Sequence, residues 1–476
     1  MIFLLRSISK KELGWLAKWV RSPYHNSNEF VIALFDYLRK YAPAFDSSRL
    51  HREKVYAHLF PKKKKYDDQR LRVLMFRLSS LIEEFLVAQR LKHSPLQHQQ
   101  LLLEELGERN QYALFTKQNQ ELAEQLEQSP YRDEHYYLTR WRQLHDLFFH
   151  PQTARYHFSD HQLVEMMQQL DAFYVLSKLR YSAELRNRQN ILPERYEIIL
   201  LKKCLQLASE HPVFEKDPIF QAYRNILGLM EQPENETIYE HLENIAFEHL
   251  ALFRPTDQSS LLRYLINTSI QLYQKGKPEY LNRQFKLYRL GLKKGLFLNE
   301  GQLSDTTFLN IIITATVLGE MTWTEAFIAQ YAAMLPSDRQ ADAVSLGTAY
   351  WYFSKSNFTS SNVLLRQIES TNLQYLLRVK SLSLRNHFEL FLQDDTYYTL
   401  LLSEAKAFEK FLRRNSKISK NRAQGYLNLS TFLRKLAKLK TSIQLTPERL
   451  DKMRRKIKKE SALIAKPWLQ EILERL

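Results

Sequence analysis

The stretch LGEMTWTEAFIAQYAAMLP (residues 318–336) precedes LGTAYWYFSKSNFTSSNVLLRQI (residues 346–368), and the two read as versions of one pattern within residues 303–370. Each opens on Leu-Gly, at Leu318–Gly319 and at Leu346–Gly347. The first continues with Trp323, Ala326 and Ala333, the second with Tyr350, Phe358, Ser361, Leu365 and Ile368. Trp323 and Phe358 stand 35 positions apart, and so do Ala326 and Ser361. In each copy an aromatic opens a second helix, and a small residue three positions on shares its face, where two helices can approach closely. One such hairpin cannot bury its apolar face alone, so neighbours must stack on it. On this spacing the packing set is Leu318, Gly319, Trp323, Ala326, Leu346, Gly347, Tyr350, Phe358 and Ser361. Trp323 and Ala326 are expected to be buried at a hairpin interface.

The period resembles that of tetratricopeptide repeats, about 34 residues. The resemblance implies an all-α fold: a right-handed α-solenoid of stacked helical hairpins with helical N-terminal and C-terminal caps. A third hairpin is expected over residues 256–292, with Gly276 at its turn, and a fourth over residues 373–414. The intervals are irregular, so the repeats are degenerate. The expected divisions are an N-terminal helical module (1–95), degenerate hairpins (96–256), tetratricopeptide-like repeats (257–414) and a basic C-terminal helical cap (415–476).

Composition agrees with helix. The 476 residues contain only 10 Gly, where ordinary usage of about 7% would give roughly three times as many. Doubly wound folds need Gly at tight turns and phosphate loops, so scarce Gly beside abundant Leu, Gln, Glu, Lys and Arg favours helices. Aromatics make up 12% of the chain, ample for a core. The formal net charge of +17 attracts nucleic acid, acidic proteins or anionic surfaces. Cys204 is the single cysteine and cannot form an internal disulfide; it reads as a buried apolar residue in a reducing compartment. Met1–Leu5 is too short for a signal-peptide core. No uncharged run approaches the ~20 residues that span a bilayer. The expected location is cytoplasmic, with no membrane span.

Toward the N-terminus, Ser9 and Glu12 form a capping box, Asn28 can cap the next helix, and a long helix starts near Asp67 or Asp68. The segment HREKVYAHLFP, a polar loop and DDQRLRVLMFRLSSLIEEFL resemble the helix–loop–recognition-helix part of winged helix-turn-helix regulators. The nearest likeness is the antibiotic-regulatory type, which joins such a domain to helical repeats. It implies that Arg70, Arg72 and Arg77 lie on a helix entering the major groove. The pattern after Phe85 stays helical and shows no β-hairpin wing. RSPYHNSN, LFP and YDDQRLR also resemble segments of bacterial proteins of similar length with degenerate repeats, which implies no activity.

In the middle, His161 to Arg188 reads as one long helix, and Pro193, Pro212, Pro218, Pro233 and Pro255 punctuate hairpins. His135, His145, His150, His157 and His161 cluster in sequence. His157 and His161 have a spacing that suits Zn²⁺, but no Glu stands in an HExxH arrangement, and no metal is assigned.

Between Lys410 and Lys459 the only acids are Glu448 and Asp451. Arg413, Arg414, Lys417, Arg454, Arg455, Lys458 and Lys459 are the candidate nucleic-acid contacts. Leu429, Phe432, Leu433 and Leu436 give this tail an apolar stripe, so it is expected to pack and to present a basic outer face.

No Walker loop, GxGxxG, GxSxG or HExxH occurs. No catalytic residue and no cofactor are assigned. Two functions follow: a non-enzymatic adaptor that binds a protein or peptide on a concave face, or a nucleic-acid or other polyanion binder that uses the basic C-terminal helices or the N-terminal winged-helix-like segment.

Overall fold

The computed structural model describes residues 1–63, 65–152, 160–189, 196–441, 446–460 and 462–476. Over these residues the chain is all-α. It divides into two compact units, residues 1–129 with 138–169 and residues 130–137 with 170–476.

The first unit holds α1 (Ile2–Arg6), α2 (Lys10–Val20), α3 (Glu29–Arg39), α4 (Arg52–Leu59), α5 (Asp68–Lys92), α6 (Pro95–Glu108) and α7 (Tyr112–Gln128). Its division from the second falls within α8 (Glu134–Phe149) and α9 (His161–Gln189). Local sequence sets the ends of these helices. Ser9 accepts from the Glu12 amide and Glu12 reaches back to the Ser9 amide, so the capping box forms. Asn28 caps α3, and Asp67 caps α5 by accepting from the Arg70 amide at 2.9 Å. Between these caps the apolar residues fall on one stripe per helix. Leu13, Leu16 and Val20 of α2, Val31, Leu34 and Phe35 of α3, and Leu71, Leu78 and Phe85 of α5 meet in one core.

The second unit continues with α10 (Leu201–Glu210), α11 (Pro212–Glu215), α12 (Pro218–Glu231), α13 (Glu236–Glu248), α14 (Pro255–Gln274) and α15 (Glu279–Lys293). A two-stranded antiparallel pair, β1 (Leu298–Asn299) and β2 (Gln302–Leu303), follows with Leu298 opposite Leu303. Then come α16 (Asp305–Val317), α17 (Met321–Tyr331), α18 (Gln340–Ser354), α19 (Phe358–Arg366), α20 (Leu373–Gln393) and α21 (Tyr398–Arg414). The last helices are α22 (Lys420–Thr441), α23 (Pro447–Lys459) and α24 (Lys466–Arg475). Cys204 is buried in α10, as its apolar surroundings suggested. Helix α20 separates two cores. Tyr375 and Leu382 join the core that runs from α9 to α19, whereas Leu377, Leu384, Phe388 and Phe391 join that of α21 to α24.

One turn recurs. Gly319 has φ +79°, its amide bonds to the Thr316 carbonyl at 3.1 Å, and the next amide, Glu320, reaches the Ala315 carbonyl at 2.9 Å. This is a Schellman closure, which satisfies the last carbonyls of a helix through one left-handed residue. The same pair of bonds closes α6 at Asn110, α14 at Gly276, α15 at Gly295 and α18 at Ser356, each in the left-handed region. At α6, α14, α16 and α18 the partner helix of the hairpin begins two or three residues later, whereas the turn after α15 leads into the two-stranded pair.

Candidate partner-binding groove and basic face

The recurrent turn corrects the register of the packing set. Thr324 and Ser361 each stand four residues after the N-cap of the second helix, Glu320 and Asn357, and both are fully buried. They lie 37 positions apart, not 35. The two Leu-Gly pairs are therefore not equivalent. Gly319 is the exposed turn after α16, beside Leu318 at the C-cap. Gly347 lies inside α18, where an added Cβ would come within 2.6 Å of Ile312 Cδ1 and 3.3 Å of Phe308 Cε1. Leu346, Tyr350, Phe358 and Ser361 are buried as the spacing anticipated. Contrary to expectation, Trp323 is only half-buried, packed at the edge of the core, and Ala326 is exposed, because Thr324 and not Ala326 holds the inward position on α17.

Ser361 is small for a second reason that periodicity could not show. Its Oγ donates to the Ala349 carbonyl at 2.9 Å and accepts from Asn386 Nδ2 at 2.9 Å. Asn386 also donates to Asn362 Oδ1, Asn362 Nδ2 lies 3.1 Å from His387 Nε2, and His387 Nδ1 lies 2.5 Å from Glu404. This buried chain ties α19, α20 and α21 together.

Half-buried Trp323 and exposed Ala326 line a groove of about 480 Å³. Phe247 of α13, Leu290 and Leu292 of α15, and Trp323, Ala326 and Phe327 of α17 form its apolar lining. These are the second helices of three successive hairpins. Trp323 stacks on Phe327 with centroids 5.2 Å apart, Phe327 on Tyr331 at 4.8 Å, and Phe285 meets Trp323 edge-on at 4.8 Å. The rings thus hold one another in place. Lys286, Arg289 and Lys293 of α15 form the rim, and among the described residues no carboxylate lines the groove. Arg289 lies 5.8 Å over the Phe285 ring.

The seam below the groove is neutralised within the chain. Lys275 pairs with Glu234 and Lys277 with Glu236. Arg283 pairs with Glu240 at 2.8 Å and with Glu243 at 2.9 Å. Burial holds the Glu243 carboxyl above its ordinary range even beside Arg283. A smaller cavity of about 170 Å³ is lined by Arg180, Tyr223 and Asp257. Arg180 pairs there with Asp257 at 2.9 Å and with Glu134 at 3.0 Å, so these charges answer one another.

The basic tail forms two separate sets. Arg413 and Arg414 end α21, which packs on α20 and α22, and Lys417 follows in the loop; all three are exposed. Arg454, Arg455, Lys458 and Lys459 are exposed on α23, which packs on α24. Arg454 is committed to Asp451 at 2.8 Å and to the Leu473 carbonyl at 3.1 Å. Leu450, Met453 and Ile457 face the core, so the face opposite carries Lys452, Arg455, Lys456 and Lys459. Helix α24 is fixed by Glu389 of α20, which accepts from Trp468 Nε1 at 2.8 Å and from Arg475 at 3.1 and 2.8 Å.

In the N-terminal segment, Arg70 packs over Phe60 at 4.3 Å and Phe30 at 5.6 Å, and Arg72 pairs with Asp68 at 2.6 Å; Arg77 is exposed. Helix α5 runs on to Lys92 and α6 follows at Pro95, so no β-hairpin stands where a wing would be. Among the described residues no group of His, Cys, Asp and Glu could hold a metal ion, and no helix is long and apolar enough to cross a membrane. His157 lies outside the described residues.

Phe247, Lys286, Leu290, Arg289 and Lys293 were not singled out from sequence. Their signal was present as spacing: Lys286, Arg289 and Lys293 recur at helical intervals, beside an acidic stripe on α13 that ends at Phe247. Comparison with protein-family models, with curated proteins and with solved structures found no match.

Proposed function

We propose that this chain is a non-enzymatic helical-repeat adaptor. In this reading it is a right-handed α-solenoid of degenerate tetratricopeptide-like hairpins, capped by helices at both ends, and it works in the cytoplasm. It holds a protein or peptide partner in the groove across α13, α15 and α17. The observation that carries the reading is that groove: an apolar floor with exposed Phe247 and Ala326, framed by an aromatic ladder that is already packed. Concave, mostly apolar sites with few polar groups are where ligands bind. The recurrent Schellman turn supports the repeat architecture. The test is affinity capture from nuclease-treated lysate by the parent chain and by Ala326→Trp, which fills the groove from an exposed position. Partners held by the parent and lost by the variant support the reading. Identical partners on both would overturn it.

A second reading, polyanion binding, is favoured by the outward row Lys452, Arg455, Lys456 and Lys459, which among the described residues no ion pair engages. Replacing these four by Gln should weaken duplex DNA binding and flatten its log–log salt slope by roughly 0.9 per lost phosphate contact. Unchanged affinity and slope would leave the row a solvated face.

A further inference from the structure

We infer that the segment held in the groove is acidic and carries a bulky apolar side chain. The inference rests on the groove being the partner site. On α13, Glu236, Glu240, Glu243 and Phe247 follow one another at intervals of four, three and four, so they share one face. The first three answer Lys277 and Arg283 across the seam with α15. At the fourth position the acid is replaced by a phenylalanine that is 46% exposed. Beside it α15 presents Lys286, Arg289 and Lys293, all exposed, and among the described residues no ion pair engages them. The close ion pairs thus stop where the groove begins, and Glu243 reaches Lys286 only at longer range. Three cations border an apolar floor whose lining, among the described residues, includes no carboxylate.

A ligand that complements this surface supplies carboxylates to the rim and an apolar side chain to the floor between Phe247, Leu290, Trp323 and Ala326. Partial exclusion of water by that side chain strengthens the rim pairs over fully exposed ones. A nucleic acid fits less well. Phe327 is packed among Trp323, Tyr331 and Phe308, with centroids 5.2, 4.8 and 5.3 Å away, so its ring is taken up within the ladder and not offered to bases.

The experiment selects random peptides displayed on phage against the full chain, then measures the enriched peptides by fluorescence polarisation. Three variants are compared: Ala326→Trp, a triple Lys286→Glu/Arg289→Glu/Lys293→Glu, and its neutral counterpart with Gln at all three positions. Thermal melts of each establish that it is folded, and the neutral triple carries the comparison if the acidic one is not. The expected outcome is enrichment of peptides combining Asp or Glu with a bulky apolar residue, with binding lost in Ala326→Trp. Affinity should fall about tenfold or more in the charge-reversed triple, the effect of losing several weak ion pairs together. Enriched peptides without acidic bias, lost in Ala326→Trp but unchanged by the triples, would overturn the acidic partner and keep the groove. Peptides insensitive to Ala326→Trp would overturn both. Displacement of the enriched peptides by single-stranded DNA at lower concentration than by unlabelled peptide would assign the site to nucleic acid and overturn the inference.

Discussion

Thr324 and Ala326 are two residues apart and face opposite surroundings, which makes them a test of the corrected register. Thr324 is fully buried and donates to the Glu320 carbonyl at 2.7 Å, whereas Ala326 is exposed. Thr324→Leu should overpack the α16–α17 interface and cost about 1–3 kcal/mol. Ala326→Leu should stay within about 0.5 kcal/mol of the parent, as surface substitutions do; denaturant titration of both variants reads the difference. Asp217 carries a pH dependence. It caps α12 by accepting from the Ile219 amide at 2.7 Å, and burial holds its carboxyl above the ordinary aspartate range despite that bond. The folded state therefore keeps this proton more tightly than the unfolded chain does. Its contribution to stability is fully present below the ordinary aspartate value and is lost as pH rises through the raised one. Asn caps equally well without the charge. Asp217→Asn should gain on the parent as pH rises from about 4 to about 7, and melts at both ends of that range would show it; a constant difference would contradict it.

At the scale of elements, helices and their ends were legible because they depend on neighbours in sequence. The Ser9–Glu12 box, the Asn28 cap and the start of α5 after Asp67 each require only residues within one turn. The register between hairpins was not legible, because Leu-Gly serves two purposes here. At Gly319 it ends a helix, and at Gly347 it admits Ile312 and Phe308 from another. Only three-dimensional packing separates the two. The groove was missed for the same reason: its cations and Phe247 lie on different helices. The docking of α24 was not legible, because Glu389, which receives the Trp468 indole N–H, lies far away in sequence on α20. Glu389→Gln should weaken both Arg475 bonds. Breaking a buried pair costs about 3–5 kcal/mol, and because Arg475 is 46% exposed the expected loss is nearer about 1–3 kcal/mol. Hydrogen exchange should quicken in residues 466–475 and stay unchanged in α2 and α3; uniform acceleration everywhere would contradict a local role for Glu389.

At the scale of the whole molecule, a net charge of +17 did not by itself distinguish a nucleic-acid binder from an adaptor. The distribution of that charge is more informative. Several bases are paired within the chain, among them Arg180, Arg283 and Arg475, while among the described residues no ion pair engages the groove rim or the outward row of α23. These two surfaces make separable predictions, one for an acidic, apolar segment and one for a salt-sensitive polyanion. The most direct measurement of the adaptor claim is photocrosslinking from within the groove. A benzophenone amino acid placed at Ala326, and as a control at the exposed Val363 of α19, is irradiated in nuclease-treated lysate. A partner-binding groove predicts a discrete protein adduct from position 326, absent from position 363 and suppressed by excess of an enriched acidic peptide. Equal crosslinking from both positions, or none from 326 while an adduct forms elsewhere, would contradict it.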